Sequence, residues 1–276
     1  MRDERSYGIA KDLCMTKICG EKSAKRGCSY KSVNITMFLD KLSQCAGDLI
    51  FPRRCPVCEE PVSPSGALIC PECEGKLHFI KEPACKICGR EIAEEEAELC
   101  CNCKRHRFSF EYGYSLMNYD DVAARSISRI KYTGAREYLD YYGKKAVELY
   151  GERIKSIGID ALVPVPVHRS RFIKRGYNQA EVLASVMGKE LDIPVYEDAM
   201  VRNKKTTALK ELSASERLKN LTGAFSAGEI PYDMHSVLLI DDIFTSGATL
   251  EAISRCLKSA GVDRVYCFTL AIKPED

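Results

Sequence analysis

Residues Val237 to Ala252 read "VLLIDDIFTSGATLEA". Four apolar residues run straight into Asp241 and Asp242, then into Thr245-Ser246-Gly247-Ala248-Thr249, and a helical pattern follows. An apolar strand, a loop of small residues and a helix in this order place the loop beyond the carboxyl edge of a parallel sheet, where ligands bind. Backbone N–H groups converge there on the start of the helix and suit a phosphate. Thr245, Ser246 and Thr249 add hydroxyl donors, and Gly247 lets the backbone approach closely. Two carboxylates beside a phosphate would repel it, so Asp241 and Asp242 need another task. Vicinal ribose hydroxyls, which donate hydrogen bonds, fit that task. The motif reads as a sugar-phosphate site; the competing reading is a buried strand whose Asp-Asp pair only caps a turn.

Outward from this stretch, strands and helices alternate from Tyr112 onward. Asp120–Tyr132 and Glu137–Arg153 have helical spacing, as does Asn178–Leu191 through Leu183, Met187 and Leu191. Ala161–Val167 is a short β-branched run, Val237–Ile240 an apolar strand and Val265–Ile272 the last strand. Ser213-x-x-Glu216 is a capping box that opens a short helix. Gly247–Ala260 is helical and stopped by Gly261. Such alternation predicts an α/β fold with a mostly parallel sheet flanked by helices.

The chain has 276 residues and a formal net charge of +2, enough length for one ordinary domain plus a small one. No apolar run reaches the roughly 18 residues of a membrane span. The beginning of the chain lacks the apolar core of a secretory signal, so the expected location is cytoplasmic, with no membrane insertion. Charge is uneven. Residues 112–225 carry 19 Lys and Arg against 14 Asp and Glu, whereas 226–276 carry 4 against 8, which places the basic excess in the middle.

Eight of the 15 cysteines form C-x-x-C pairs between Cys55 and Cys103. "CPVCEEPVSPSGALICPEC" begins at Cys55 and "CKICGREIAEEEAELCCNC" at Cys85, so the pattern repeats after thirty residues. Each C-x-x-C puts two sulfurs on one tight knuckle, and eleven residues between pairs allow a small hairpin. The repeat assigns Cys55, Cys58, Cys70 and Cys73 to one structural Zn²⁺, and Cys85, Cys88, Cys100 and Cys103 to a second. It also prefers Cys100 to Cys101. Iron–sulfur is the competing chemistry for four thiolates. Metal makes so short a segment foldable. Residues 51–107 hold 9 basic and 10 acidic side chains, so the ribbon has no basic footprint and reads as structural or protein-docking.

Arg169, Arg171, Lys174 and Arg175 fall within seven residues without an acid among them. They follow a strand and read as a loop that takes a phosphate or pyrophosphate through arginine forks; a solvated basic loop is the alternative. Tyr177-Asn178-Gln179 adds orientation or simply starts the next helix. His168 reads as structural, and Cys256 and Cys267 as core.

"IDDIFTSGAT" resembles the phosphoribosyl pyrophosphate (PRPP) loop of type I phosphoribosyltransferases. "DALVPVPVHRSRFIKRGYNQAEVLA" from Asp160, "KYTG" at Lys131–Gly134 and "ERLKNLTGAF" at Glu216–Phe225 are similar to ComF-type proteins, and so are the cysteine pairs. The resemblance spans about residues 37–274. One departure is Leu209 in "TTALKELS", where the family often has Gln. Residues 1–36 show no sustained period of helix or strand and read as a disordered leader or as sequence that precedes a true start at Met37, where the resemblance begins. The resemblance implies a zinc-ribbon domain with a short leading helix over 37–107 and a type I phosphoribosyltransferase domain over 108–276. PRPP with Mg²⁺ would then sit on Asp241, Asp242 and Thr245 to Thr249, Ala248 included. Pyrophosphate or nucleic-acid phosphate would meet Arg169, Arg171, Lys174, Arg175 and Lys131. Arg202–Lys210 is a candidate closing loop. The implied partners are PRPP, single-stranded DNA and competence-machinery proteins. PRPP-dependent transfer, non-catalytic DNA binding or docking, and nucleobase salvage are the functions left open.

Overall fold

The computed structural model describes residues 52–94, 96–203, 221 and 223–274, all within one compact unit, Asp48–Asp276. The Met37 helix, the Ser213 capping box, Leu209 and positions 204–210 of the expected closing loop lie outside the described residues.

Four parallel strands form the sheet in the order β1-β6-β5-β2. They are β1 (Gly113–Asn118), β2 (Ala161–Pro164), β5 (Ser236–Phe244) and β6 (Arg264–Ile272). Two short strands, β3 (Met200–Arg202) and β4 (Phe225–Ala227), pair antiparallel beside it. Central strands buried on both faces read as continuous apolar runs, as Val237–Ile240 does. Strand β2 is shorter than its sequence suggests. Pro164 and Pro166 have no N–H to donate, and pairing stops at Pro164 opposite Ile240. Strand β5 is longer, running through both aspartates to Phe244 with β6 as partner. Asp241 and Asp242 therefore stand on the strand itself, past the end of its other neighbour.

Helices cover both faces. On one lie α3 (Asp121–Tyr132), α4 (Tyr138–Ile157) and α6 (Gln179–Leu191), packing Ile127, Leu139, Tyr142 and Leu183 over Leu116, Leu162, Leu238 and Phe268. On the other, α7 (Ala248–Ser259) packs Leu250, Ile253 and Leu257 over Val163, Leu239 and Val265. Local signals set the ends. Asp120 accepts from Ala123 N–H at 2.8 Å, Asn178 accepts from Ala180 N–H at 3.1 Å, and α4 stops at left-handed Gly158.

The cysteine-rich segment straddles the edge strand β1. Its first half, with helix α1 (Pro71–Glu74), packs Cys55, Ile69, Cys73 and Leu77 into the α3/α4 face. Arg53 ties it to Asp140 at 2.7 Å, and Tyr141 donates to Glu74 at 2.9 Å. The second half, with α2 (Cys101–Arg105), packs Cys85, Cys88, Cys100 and Cys103 into the α7 face. Between the halves, Ile80 N–H donates to Leu116 O and Asn118 N–H to His78 O, which satisfies the open edge of β1.

Candidate functional site

The aspartates and the phosphate-loop residues singled out in the sequence lie at and beyond the carboxyl end of β5. Beyond Phe244 the chain turns through Thr245 and Ser246 to Gly247, the N-cap of α7, in the left-handed region at φ 77°. No side chain caps this helix. Its first N–H groups are thus left for solvent or an anion. The hydroxyls of Thr245, Ser246 and Thr249 make no hydrogen bond among the described residues.

The two aspartates have different surroundings. Asp242 is 8% exposed, pairs with Lys131 Nζ at 2.9 Å and accepts from Gln179 Nε2. Gln179 in turn accepts from Arg175, whose Nε donates to Lys131 O at 2.9 Å. Asp241 is half-buried, and burial together with the neighbouring Asp242 charge pushes its carboxyl up to about 7. Arg202 lies within electrostatic reach of Asp241 and sits over the Phe225 ring, 5.2 Å from its centroid. A carboxylate that has lost water beside a second acid is primed to accept from a donor or to meet a metal ion.

The four cations divide. Arg175 belongs to the acid-pair network together with Lys131. Arg169, Arg171 and Lys174 face solvent on a seven-residue helix, α5 (Arg169–Arg175), and not on the loop that the sequence suggested. No α5 residue is buried, and Phe172 and Ile173 are 44% and 71% exposed. His168 starts α5: its Nδ1 accepts from Ser170 N–H at 3.1 Å, a capping role.

Two groups of four cysteines, Cys55/Cys58/Cys70/Cys73 and Cys85/Cys88/Cys100/Cys103, each bring their sulfurs within 4.8 Å of one another. Cys88 and Cys100 Sγ are 3.7 Å apart. Tetrahedral Zn–S bonds of about 2.3 Å require sulfurs about 3.8 Å apart, so the donors fit zinc. Cys101 is exposed and outside the set, in line with the repeat. The second group is buried throughout, whereas Cys58 of the first is exposed.

Three residues of the site region carried no signal in the sequence: Phe108, Ser109 and Glu251. Ser109 N–H and Oγ donate to the Glu251 carboxylate at 2.5 and 2.9 Å across 142 positions of chain.

A family model described as a double zinc ribbon domain matches residues 46–104, and one described as a phosphoribosyl transferase domain matches 173–276. The two cysteine groups are accordingly structural zinc sites on a phosphoribosyltransferase fold. The chain is 31% identical to Competence protein F of Haemophilus influenzae over 73% of this chain and 96% of that one. It is 27% identical to Competence protein ComFC of Bacillus subtilis over 73% and 83%, and 24% identical to DNA utilization protein YhgH of Escherichia coli over 79% and 97%. Among solved structures, a purine phosphoribosyltransferase from Pyrococcus horikoshii overlays with a TM-score of 0.29 at 20% identity, covering 48% of this chain and 74% of that one.

Proposed function

The chain belongs to the ComF family of competence proteins, and from that premise we propose that its phosphoribosyltransferase domain holds PRPP at the carboxyl ends of β5 and β2. One observation carries this reading: the uncapped N-terminus of α7 directly follows a strand that bears two aspartates. Backbone N–H groups from Ser246 to Thr249, with the three hydroxyls, would enclose the 5-phosphate. Asp241 would accept from the ribose diol. Asp242, held by Lys131 and Gln179, would fix the position of its neighbour. The pyrophosphate would extend toward Arg169, Arg171 and Lys174, where guanidinium forks match its oxygens. Mg²⁺ bound with PRPP would neutralise the pyrophosphate oxygens.

The charge pattern suits cleavage of the anomeric C–O bond. The electron pair leaves with pyrophosphate toward the basic helix, and the ribose turns cation-like beside the acid pair. The acceptor would enter from the open side of the crevice. Mg-PRPP is expected to raise the melting temperature of the intact protein, and Asp241→Asn with Asp242→Asn to abolish that rise. No rise with the intact protein contradicts the reading.

A second reading is favoured by α5, whose cations and exposed Phe172 form a surface with both charge and a stacking face. Such a surface fits single-stranded DNA, in keeping with relatives named for competence and DNA utilization. One phosphate-binding crevice can serve both ligands.

A further inference from the structure

We propose that Phe108 and Ser109, which directly follow the second zinc ribbon in the chain, are positioning residues for the phosphate loop, so that this ribbon is joined to the ligand site through them. The inference rests on the reading above, that the loop from Thr245 to Thr249 receives a phosphate.

Three contacts carry it. The Phe108 ring presses on the Gly247 turn: a Cβ added at Gly247 would lie 2.7 Å from Phe108 Cε1 and 2.7 Å from Phe244 Cζ. Phe108 is itself wedged, stacked on Phe110 at 4.8 Å between centroids and edge-on to Phe244 at 6.2 Å. The ring thus packs directly against the N-cap of α7.

Ser109 fastens the first turn of the same helix. Its N–H and hydroxyl both bind the carboxylate of Glu251, which is 2% exposed and also accepts from Arg255 Nε at 2.5 Å. A bare carboxylate in the first turn would oppose an anion at that helix end. Three donors on its oxygens draw off that charge and set the rotation of the turn.

The third contact anchors the segment at both ends. Glu111 N–H donates to Val265 O at 2.7 Å, and Lys258, near the far end of α7, pairs with Glu111 at 2.8 Å. Gly113 N–H donates to Ile87 O at 2.7 Å, inside the Cys85–Cys88 knuckle. Phe108 lies five positions beyond Cys103, and the four sulfurs share a core with Phe110, Phe244, Ala248 and Leu250. Neither Phe108 nor Ser109 needs to touch the ligand; they set the shape of the cup that does.

The test is isothermal titration of Mg-PRPP into the full-length protein, with zinc content and melting temperature measured on each sample. Phe108→Ala is expected to weaken binding about tenfold, roughly 1.4 kcal/mol, while zinc stays at two per chain. Phe108→Leu should recover most of the loss. Ser109→Ala, which removes one hydroxyl and keeps the fold, should weaken binding in the same direction by less. Leu77→Ala, on the opposite face, should lower the melting temperature and leave affinity unchanged. Wild-type affinity in both Phe108→Ala and Ser109→Ala overturns the positioning role while leaving the PRPP site intact. Equal loss in Leu77→Ala also overturns it, because the effect is then general destabilisation. Absence of any heat with the wild type overturns the PRPP reading itself, and the positioning claim with it.

Discussion

Asp241 and Asp242 are neighbours in sequence that do different work. Burial, followed by the charge of Asp242, lifts the Asp241 carboxyl from its ordinary value of 3.8 to about 7. Folding thus favours the protonated acid. The stability tied to this group is complete below about pH 4 and is lost as pH rises through 7. Asp241→Asn cannot ionise, so it should melt higher than wild type at pH 8, with the gap closing toward pH 4. A thermal-shift series in pH checks this, and a pH-independent difference counts against it. Asp242 instead depends on Lys131 at 2.9 Å, both side chains being largely buried. Lys131→Met leaves the carboxylate with the Gln179 amide but without a counter-charge and should destabilise by about 3 kcal/mol, the order expected for breaking a buried pair from one side; urea unfolding measures it.

Elements were legible where their side chains repeat at one period. Helices α3, α4 and α6 show that regularity and lie close to their expected ranges, as does strand β6, whereas β5 runs four residues past its expected end at Ile240. Helix α5 has no apolar stripe: none of its residues is buried, so no helical period is written into "RSRFIKR" and the sequence alone reads as a loop. Strand β1 is silent in the sequence because "GYSLMN" is buried at nearly every position and alternates nothing. The three-residue strands β3 and β4 are too short for any pattern. Two predictions belong at this scale. If α5 binds single-stranded DNA, replacing Arg169, Arg171 and Lys174 with Ala should weaken binding and flatten its salt dependence. The log–log slope should shrink by about 0.7 for each phosphate that is no longer neutralised; fluorescence anisotropy across salt concentrations reads both. Gly247→Ala adds a Cβ at φ 77° against two phenyl rings. The left-handed conformation alone costs about 1–2 kcal/mol, and the melting temperature should fall while the PRPP-induced rise disappears.

For the whole molecule, the cysteine repeat announced two metal sites, and the sugar-phosphate loop was readable from one strand–loop–helix. Their relation was not readable. The ribbon's halves lie on opposite faces of the sheet, joined by a segment that covers β1. Contacts such as Ser109 to Glu251 join positions 142 residues apart, and no local pattern encodes such a pair. The halves also differ in access. Cys58 is exposed, whereas the second set is buried in the α7 core. A strong chelator should therefore remove one zinc quickly, from Cys55, Cys58, Cys70 and Cys73, and the other only as the sheet unfolds. Stopped-flow zinc release alongside circular dichroism checks the order; two equal fast phases contradict it.

The most direct measurement is a crystal structure of this protein with Mg-PRPP. The account predicts the 5-phosphate within hydrogen-bond distance of the N–H groups from Ser246 to Thr249, and the ribose diol against Asp241. Density for PRPP elsewhere, with that loop empty and Asp241 out of contact with the ligand, would contradict it.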